Sequence, residues 1–127
     1  ILIDQKYNEG IEIPFFGHPA MTSTAFIQLG QKLNIPVIPF RVERLEGSSF
    51  RLSFHAPITL FEEDGTTPRA HETILAETHT LLEGWIRERP EQWLWTHNRW
   101  VHSNKKQKPE KSVKNAKPKK PQAPTQP

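Results

Sequence analysis

The chain has 127 residues, no cysteine and a formal net charge of +3 at pH 7. This length suits one domain, and the lack of cysteine excludes a disulfide framework and a thiolate metal site. No apolar run approaches the roughly 18 residues that span a bilayer, and the N-terminal residues lack the pattern of a signal peptide. Ile1–Ile3 are apolar and the only methionine is Met21. We therefore expect the sequence to begin inside a buried strand, residues 1–4, of a longer protein.

The next residues predict a turn, a short strand and a helix. Asn8–Gly10 is a turn sequence and leads into an extended stretch at 11–13, where Pro14 disfavours a central strand. His18-Pro19 predicts a helix start, since proline is well tolerated at the first helical position. The apolar stripe of this helix is expected at Ala25, Phe26, Leu29 and Leu33, and its end near Asn34.

Two further strands and a long helix are predicted after Asn34. Residues 35–40 are apolar throughout, as in a strand covered on both faces, although two of them are proline. After a turn at 45–47, residues 50–54 alternate apolar and polar side chains, which predicts a half-buried strand in a hairpin. Thr67-Pro68 is expected to open a helix that ends before Pro90. Its apolar stripe is Ile74, Leu75, Leu81, Leu82, Trp85 and Ile86. Strand, helix, strand, strand, helix indicates an α/β sandwich.

The segment from Arg89 to Trp100 contains three of the four tryptophans. We expect at least two of these rings to fold back over the sheet as part of the core. A second interpretation is an interfacial belt, in which the tryptophans meet lipid headgroups while His97, Asn98 and Arg99 stay in water.

The positive charge lies in the C-terminal tail. Residues 103–127 contain eight lysines and one glutamate, whereas residues 1–102 are net acidic. The tail is rich in lysine and proline and predicts disorder. It is either a solvated segment without a partner or a polybasic arm on anionic lipid or phosphate, where each lysine contributes roughly 1 kcal/mol. We expect no nucleic-acid partner, because the folded part is acidic and has no basic stripe.

Catalytic motifs are absent from this sequence. None of its six histidines is followed five positions later by an acidic residue. His79 and Glu83 are four apart on the predicted long helix, a spacing that usually gives a weak surface pair without chemistry. There is no nucleophile elbow, Walker loop, dinucleotide fingerprint or metal-ligand spacing. The sequence therefore predicts no catalytic residue, metal or cofactor within this chain.

Several motifs in unbroken order resemble one known family. They are DQ at 4–5, PFFG at 14–17, AMT at 20–22, IPVIPF at 35–40, Arg44 before a glycine turn, PEQWLW at 90–95 and HNRW at 97–100. Together they resemble the C-terminal half of the bacterial lipid A biosynthesis acyltransferases of the lauroyl/myristoyl type, over about residues 1–102. The resemblance implies that 1–102 is the C-terminal part of an acyltransferase domain and that 103–127 is a separate tail.

The resemblance also implies expectations about the fold, activity and substrates of this chain. The resemblance implies a partial glycerolipid-acyltransferase-like α/β sandwich at the cytoplasmic face of the bacterial inner membrane. The fatty acyl donor would be the acyl carrier protein thioester, and the acceptor a lipid A precursor. The His-x-x-x-x-Asp/Glu motif of the family would precede Ile1, so the isolated chain is expected to be inactive. Two alternatives stay open: another phospholipid or glycolipid acceptor, and an inactive remnant that binds anionic membranes.

The predicted substrate-binding residues are Asp4, Gln5, Asn8, Phe15, Phe16, Gly17, Thr22 and Arg44. The first three end or follow the first predicted strand, where α/β folds bind ligands. Gly17 would let the backbone approach a substrate, and Thr22 would lie at a helix N-terminus suited to a phosphate or an oxyanion.

Each of these assignments has a structural alternative. Phe15 and Phe16 would wall an acyl channel or belong to the core, and Asp4 and Gln5 could instead brace a loop. The arginines 41 and 44 could meet a lipid phosphate or pair with the glutamates 43 and 46.

Overall fold

The computed structural model describes residues 1–100. It contains β1 (Ile11–Phe15), β2 (His18–Thr22), α1 (Ala25–Leu33), β3 (Phe40–Arg44), β4 (Phe50–Phe54), α2 (His71–Glu88) and a 3-10 helix (Pro90–Gln92). The predicted mixed α/β class is confirmed. The described strands form two separate antiparallel pairs, β1-β2 and β3-β4. The named sandwich fold stays a prediction, and the predicted disordered tail lies outside the described residues.

The first hairpin replaces the helix start that was predicted at His18-Pro19, which is wrong. Phe16 and Gly17 have φ angles of 50° and 74°. Positive φ at both central residues is typical of the two-residue hairpin turn whose twist matches the strands. Pro14 pairs with Pro19 one step beyond the closing pair of Phe15 and His18. At that alternate position the N–H groups would point away from the partner strand, so the two prolines remove no hydrogen bond between the strands.

Helix α1 begins at Ala25 and ends as predicted at Asn34, which adopts the left-handed conformation with φ of 50°. Its N–H donates to the Gly30 carbonyl, a common way to end a helix. The predicted apolar stripe is partly wrong. Phe26, Ile27 and Gly30 are buried, whereas Leu29 and Leu33 are 46% and 57% exposed.

The predicted strands at 1–4 and 35–40 are wrong. Residues 1–4 have no strand assignment, and Ile1 and Leu2 are exposed. The regular strand β3 begins only at Phe40. Pro36 and Pro39 lack the N–H that a ladder requires, which explains why pairing starts after the second proline.

The predicted hairpin of β3 and β4 is confirmed, but its burial is the reverse of the prediction. The apolar side chains of β4 are all exposed, and their cross-strand partners Phe40 and Val42 are exposed on the same face. On the opposite face, Arg41 forms an ion pair of 2.6 Å with Glu88 of α2. The polar face of this ribbon therefore contacts α2.

Helix α2 begins at His71 instead of Thr67-Pro68, because Pro68 forms a β-bridge with Phe61. Neither helix among the described residues is long and apolar enough to cross a membrane.

Two core clusters lie along α2, and each includes two residues of its predicted stripe. One contains Ile13, Phe26, Ile27, Leu60, Ile74 and Leu75. The other contains Phe15, Ala20, Leu82 and Ile86, with Trp93 and Trp100 packed against it. Trp95 is exposed, so the expectation that at least two of the three C-terminal tryptophans join the core is confirmed.

Candidate functional site

An apolar groove of about 570 Å³ lies between residues 1–4, helix α1 and the segment 35–42. Its lining includes Ile3, Phe26, Leu29, Val37, Phe40 and Ile58. Among the described residues, Asp4 and Arg41 are the charged groups of this lining. A volume of this size is in the range of small-molecule sites, which are mostly apolar with a few placed polar groups.

Gly30 allows α1 to approach the segment 35–37 closely at this groove. A Cβ atom at position 30 would lie 2.4 Å from Leu60 Cδ1 and 2.9 Å from Val37 Cγ2. Such distances are far below van der Waals contact, so the floor of the groove depends on the missing side chain at this position.

A buried polar cluster, which we call the Arg99 cluster, consists of Thr22, His79 and Arg99. Arg99 is 0% exposed. Its Nη2 donates to Thr22 Oγ1 at 2.7 Å and contacts His79 Nε2 at 3.2 Å. Its Nη1 donates to the Met21 carbonyl at 2.8 Å. The cluster joins the end of β2 to the middle of α2 and to the C-terminal segment.

The hydrogen bonds of His79 determine its tautomer. Nδ1 lies 2.8 Å from the Pro14 carbonyl, so Nδ1 bears the proton and donates. Nε2 is then the acceptor for Arg99. Burial lowers the pKa of His79 and the Arg99 charge acts in the same direction, while the hydrogen bond to Pro14 opposes them. His79 is therefore neutral and buried, and its ring bonds are occupied by structural partners.

The suggested pair of His79 with Glu83 is replaced by other contacts. Glu83 Oε1 accepts from the Phe16 N–H at 2.6 Å, and Oε2 accepts from Arg87 at 2.9 Å. Glu83 thus braces the turn of the first hairpin.

Arg99 is held mostly by neutral groups. Its guanidinium carbon lies 5.4 Å from the centre of the Phe15 ring, an arrangement suited to a cation–π contact. Its Nε atom is buried without a hydrogen-bond partner among the described residues. Burial lowers the pKa of Arg99, and the negative charge of Asp4 raises it. Asp4 is thus the acidic group whose charge acts on this buried cation.

The structure does not bring the predicted site residues together at one place. Asp4 borders the groove, and Phe15 and Thr22 are buried at the Arg99 cluster. Thr22 ends β2 and does not lie at a helix N-terminus, so that part of its prediction is wrong. The remaining predicted substrate-binding residues do not line the groove. They are Gln5, Asn8, Phe16, Gly17 and Arg44.

The two arginines of β3 make different contacts. Arg41 pairs with Glu43 at 3.3 Å and with Glu88 at 2.6 Å, so the ion-pair alternative is confirmed for this residue. Arg44 is exposed, with its guanidinium carbon 6.0 Å from the centre of the Phe50 ring.

Sequence reasoning did not identify Arg99 as part of a site. The interfacial-belt interpretation placed its side chain in water, and this is wrong, because it is fully buried. The available signal was its place in the HNRW motif, at 97–100, which was noted only as part of a resemblance.

No group of three or more metal-binding side chains occurs within residues 1–100. The family model described as bacterial lipid A biosynthesis acyltransferase matches residues 1–102. No curated protein matches the chain.

Proposed function

The chain belongs to the bacterial lipid A biosynthesis acyltransferase family, and on this premise we propose that it is the C-terminal part of an enzyme of lipopolysaccharide biosynthesis. The family indicates acyltransferase activity. In our proposal, the enzyme transfers a fatty acyl chain from the thioester of acyl carrier protein to a lipid A precursor at the cytoplasmic face of the inner membrane.

The observation that supports an acyl substrate is the apolar groove. Most of its lining is aliphatic or aromatic, and within residues 1–100 its charged side chains are Asp4 and Arg41. Arg41 already pairs with two glutamates. A fatty acyl chain gains free energy by burying its methylene groups, at about 0.8 kcal/mol each. The groove therefore offers the kind of surface that such a chain requires.

Acyl transfer requires a general base and a binding site for the acyl chain. The acceptor hydroxyl attacks the thioester carbonyl while a general base removes its proton, and the carrier thiol leaves. We place this base outside the 127 residues, since His79 is buried and no histidine here has the expected acidic partner. The groove would then hold the acyl chain while Asp4 faces the polar end of the substrate.

The proposal is tested by assaying the protein expressed from its complete reading frame with acyl carrier protein thioester and lipid A precursor. Mass spectrometry should detect one added acyl group. A protein that transfers acyl chains only to another phospholipid or glycolipid would refute the acceptor. One that transfers none would refute the enzyme activity.

Helix α1 provides a matched pair of variants for the groove. Leu29 and Leu33 are both partly exposed leucines of α1, but only Leu29 lines the groove. We expect Leu29→Trp to reduce transfer of long acyl chains more than short ones and Leu33→Trp to leave both unchanged. Equal effects of the two substitutions would contradict the assignment of the acyl chain to this groove.

A further inference from the structure

We propose that Arg99 is a positioning residue that, together with His97, holds the segment 4–7 and so fixes Asp4 at the edge of the groove. This inference rests on the proposed function for its kinetic part, but its structural part can be measured independently.

Hydrogen bonds connect the segment 4–7 to the residues around Arg99. The Lys6 N–H donates to His97 Nε2 at 3.2 Å. The Tyr7 N–H donates to the Met21 carbonyl at 3.2 Å, and Arg99 Nη1 donates to the same carbonyl oxygen at 2.8 Å. One oxygen of β2 therefore accepts from both the segment and Arg99. A displacement of Arg99 would disturb this shared acceptor and the position of the residues bonded to it.

The charge of Arg99 also connects this cluster with Asp4. A buried guanidinium needs a counter-charge or several strong acceptors, because desolvation strongly disfavours an isolated charge. Arg99 has no carboxylate within ion-pair distance among the described residues, and its bonds go to a carbonyl, a hydroxyl and a neutral imidazole. The negative charge of Asp4, which raises the pKa of Arg99, acts on this cation from the groove side without an ion-pair contact.

The arrangement brings together residues from motifs that lie far apart in the sequence. DQ provides Asp4, PFFG provides the Phe15 ring, AMT provides the Met21 carbonyl and the Thr22 hydroxyl, and HNRW provides His97 and Arg99. Groups from PFFG and AMT thus contact the buried cation of HNRW directly, and Asp4 of DQ acts on it through its charge.

The structural part is tested by amide hydrogen exchange on Arg99→Met, Arg99→Lys and the control Arg69→Met. Arg69, unlike Arg99, forms an ion pair with a carboxylate, that of Glu77 at 2.6 Å, and it does not line the groove. We expect Arg99→Met to speed exchange at Lys6 and Tyr7 at least tenfold while the amides between β1 and β2 change little. The proposal would be overturned if all amides exchanged faster to the same extent, or if exchange at Lys6 and Tyr7 were unchanged.

The kinetic part uses Asp4→Asn, a substitution at a partly exposed residue that we expect to preserve the fold. In the complete enzyme we expect Asp4→Asn and Arg99→Met each to lower kcat/KM by about 10- to 100-fold, as small misplacements of reacting groups do. Arg99→Lys should recover part of this loss, and Arg69→Met should show none.

The double variant of Asp4 and Arg99 tests whether the two residues act together or separately. If Arg99 acts through Asp4, the double variant should be no slower than the slower single variant. Losses that multiply in the double variant would overturn the inference even though the enzyme is an acyltransferase. A wild-type enzyme without acyl transfer would instead refute the proposed function, and the exchange experiment would still decide the structural claim.

Discussion

The hydroxyl of Thr22 is predicted to be a main stabilising contact of the buried Arg99 charge. Thr22→Val preserves the shape and the β-branched side chain that suits a strand, but it removes this hydroxyl. Arg99 Nη2 would then lose its 2.7 Å acceptor and keep only the 3.2 Å contact to His79 Nε2. Because Arg99 is 0% exposed, water cannot replace the lost oxygen.

The expected cost follows from these contacts. A hydrogen bond to a charged group contributes about 1.5–3 kcal/mol, and a buried donor left without a partner loses its full solvation. The remaining contact to His79 offsets part of this. We therefore expect Thr22→Val to lower the free energy of unfolding by about 2 kcal/mol. Thr22→Ser keeps the hydroxyl and removes one buried methyl group, which should cost about 1 kcal/mol.

Urea denaturation of the purified protein measures these differences. Thr80→Val is the matched control, since Thr80 is exposed on α2 and its hydroxyl donates to the Ala76 carbonyl of the same helix. We expect the control to change stability by less than about 0.5 kcal/mol. If Thr22→Val is no more destabilising than Thr22→Ser, the hydroxyl does not stabilise the buried cation and the reasoning is refuted.

Three further predictions concern ionisation and backbone conformation. Nitrogen-15 NMR should show that folded His79 stays neutral, with its proton on Nδ1, to a pH below its usual pKa of 6.5. In the unfolded state the ring gains a second proton as the pH falls through 6.5. The free energy of unfolding should therefore decrease as the pH drops below 6.5. A ring that titrates at or above 6.5 would contradict this. Hydrogen bonds from Thr67, above all from its hydroxyl, lower the pKa of Asp64 to about 2 from 3.8. Asp64→Asn should therefore reduce the loss of thermal stability on acidification from pH 3.8 to pH 2, and an unchanged acid profile would count against this assignment. Gly17→Ala forces a side chain into φ of 74°, so it should destabilise the first hairpin by about 1 kcal/mol in denaturation experiments, whereas no change would mean that the turn relaxes.

Local features of this protein were predictable because their causes are close in sequence. Asn34 ends α1 because its backbone tolerates the left-handed conformation, and Pro90 ends α2 because it lacks an N–H. Helical periodicity correctly predicted four buried positions of α2, which are Ile74, Leu75, Leu82 and Ile86, but not the buried polar residues Thr78 and His79. The same local reasoning failed at His18-Pro19, where Phe16 and Gly17 together form a hairpin turn and Pro19 is accommodated opposite Pro14.

The family, the hairpin of β3 and β4, and most of the long helix were predictable from the sequence alone. Which face of a strand is exposed and which charged residue is buried depend instead on contacts between elements that are distant in sequence. Alternation along β4 shows that two faces differ, but which one packs depends on α2, whose ion pair with Arg41 lies on the polar side. Arg99 appears solvent-exposed from composition alone, since arginine is rarely buried. It is buried because Met21, Thr22 and His79, distant in sequence, together provide the acceptors that replace water.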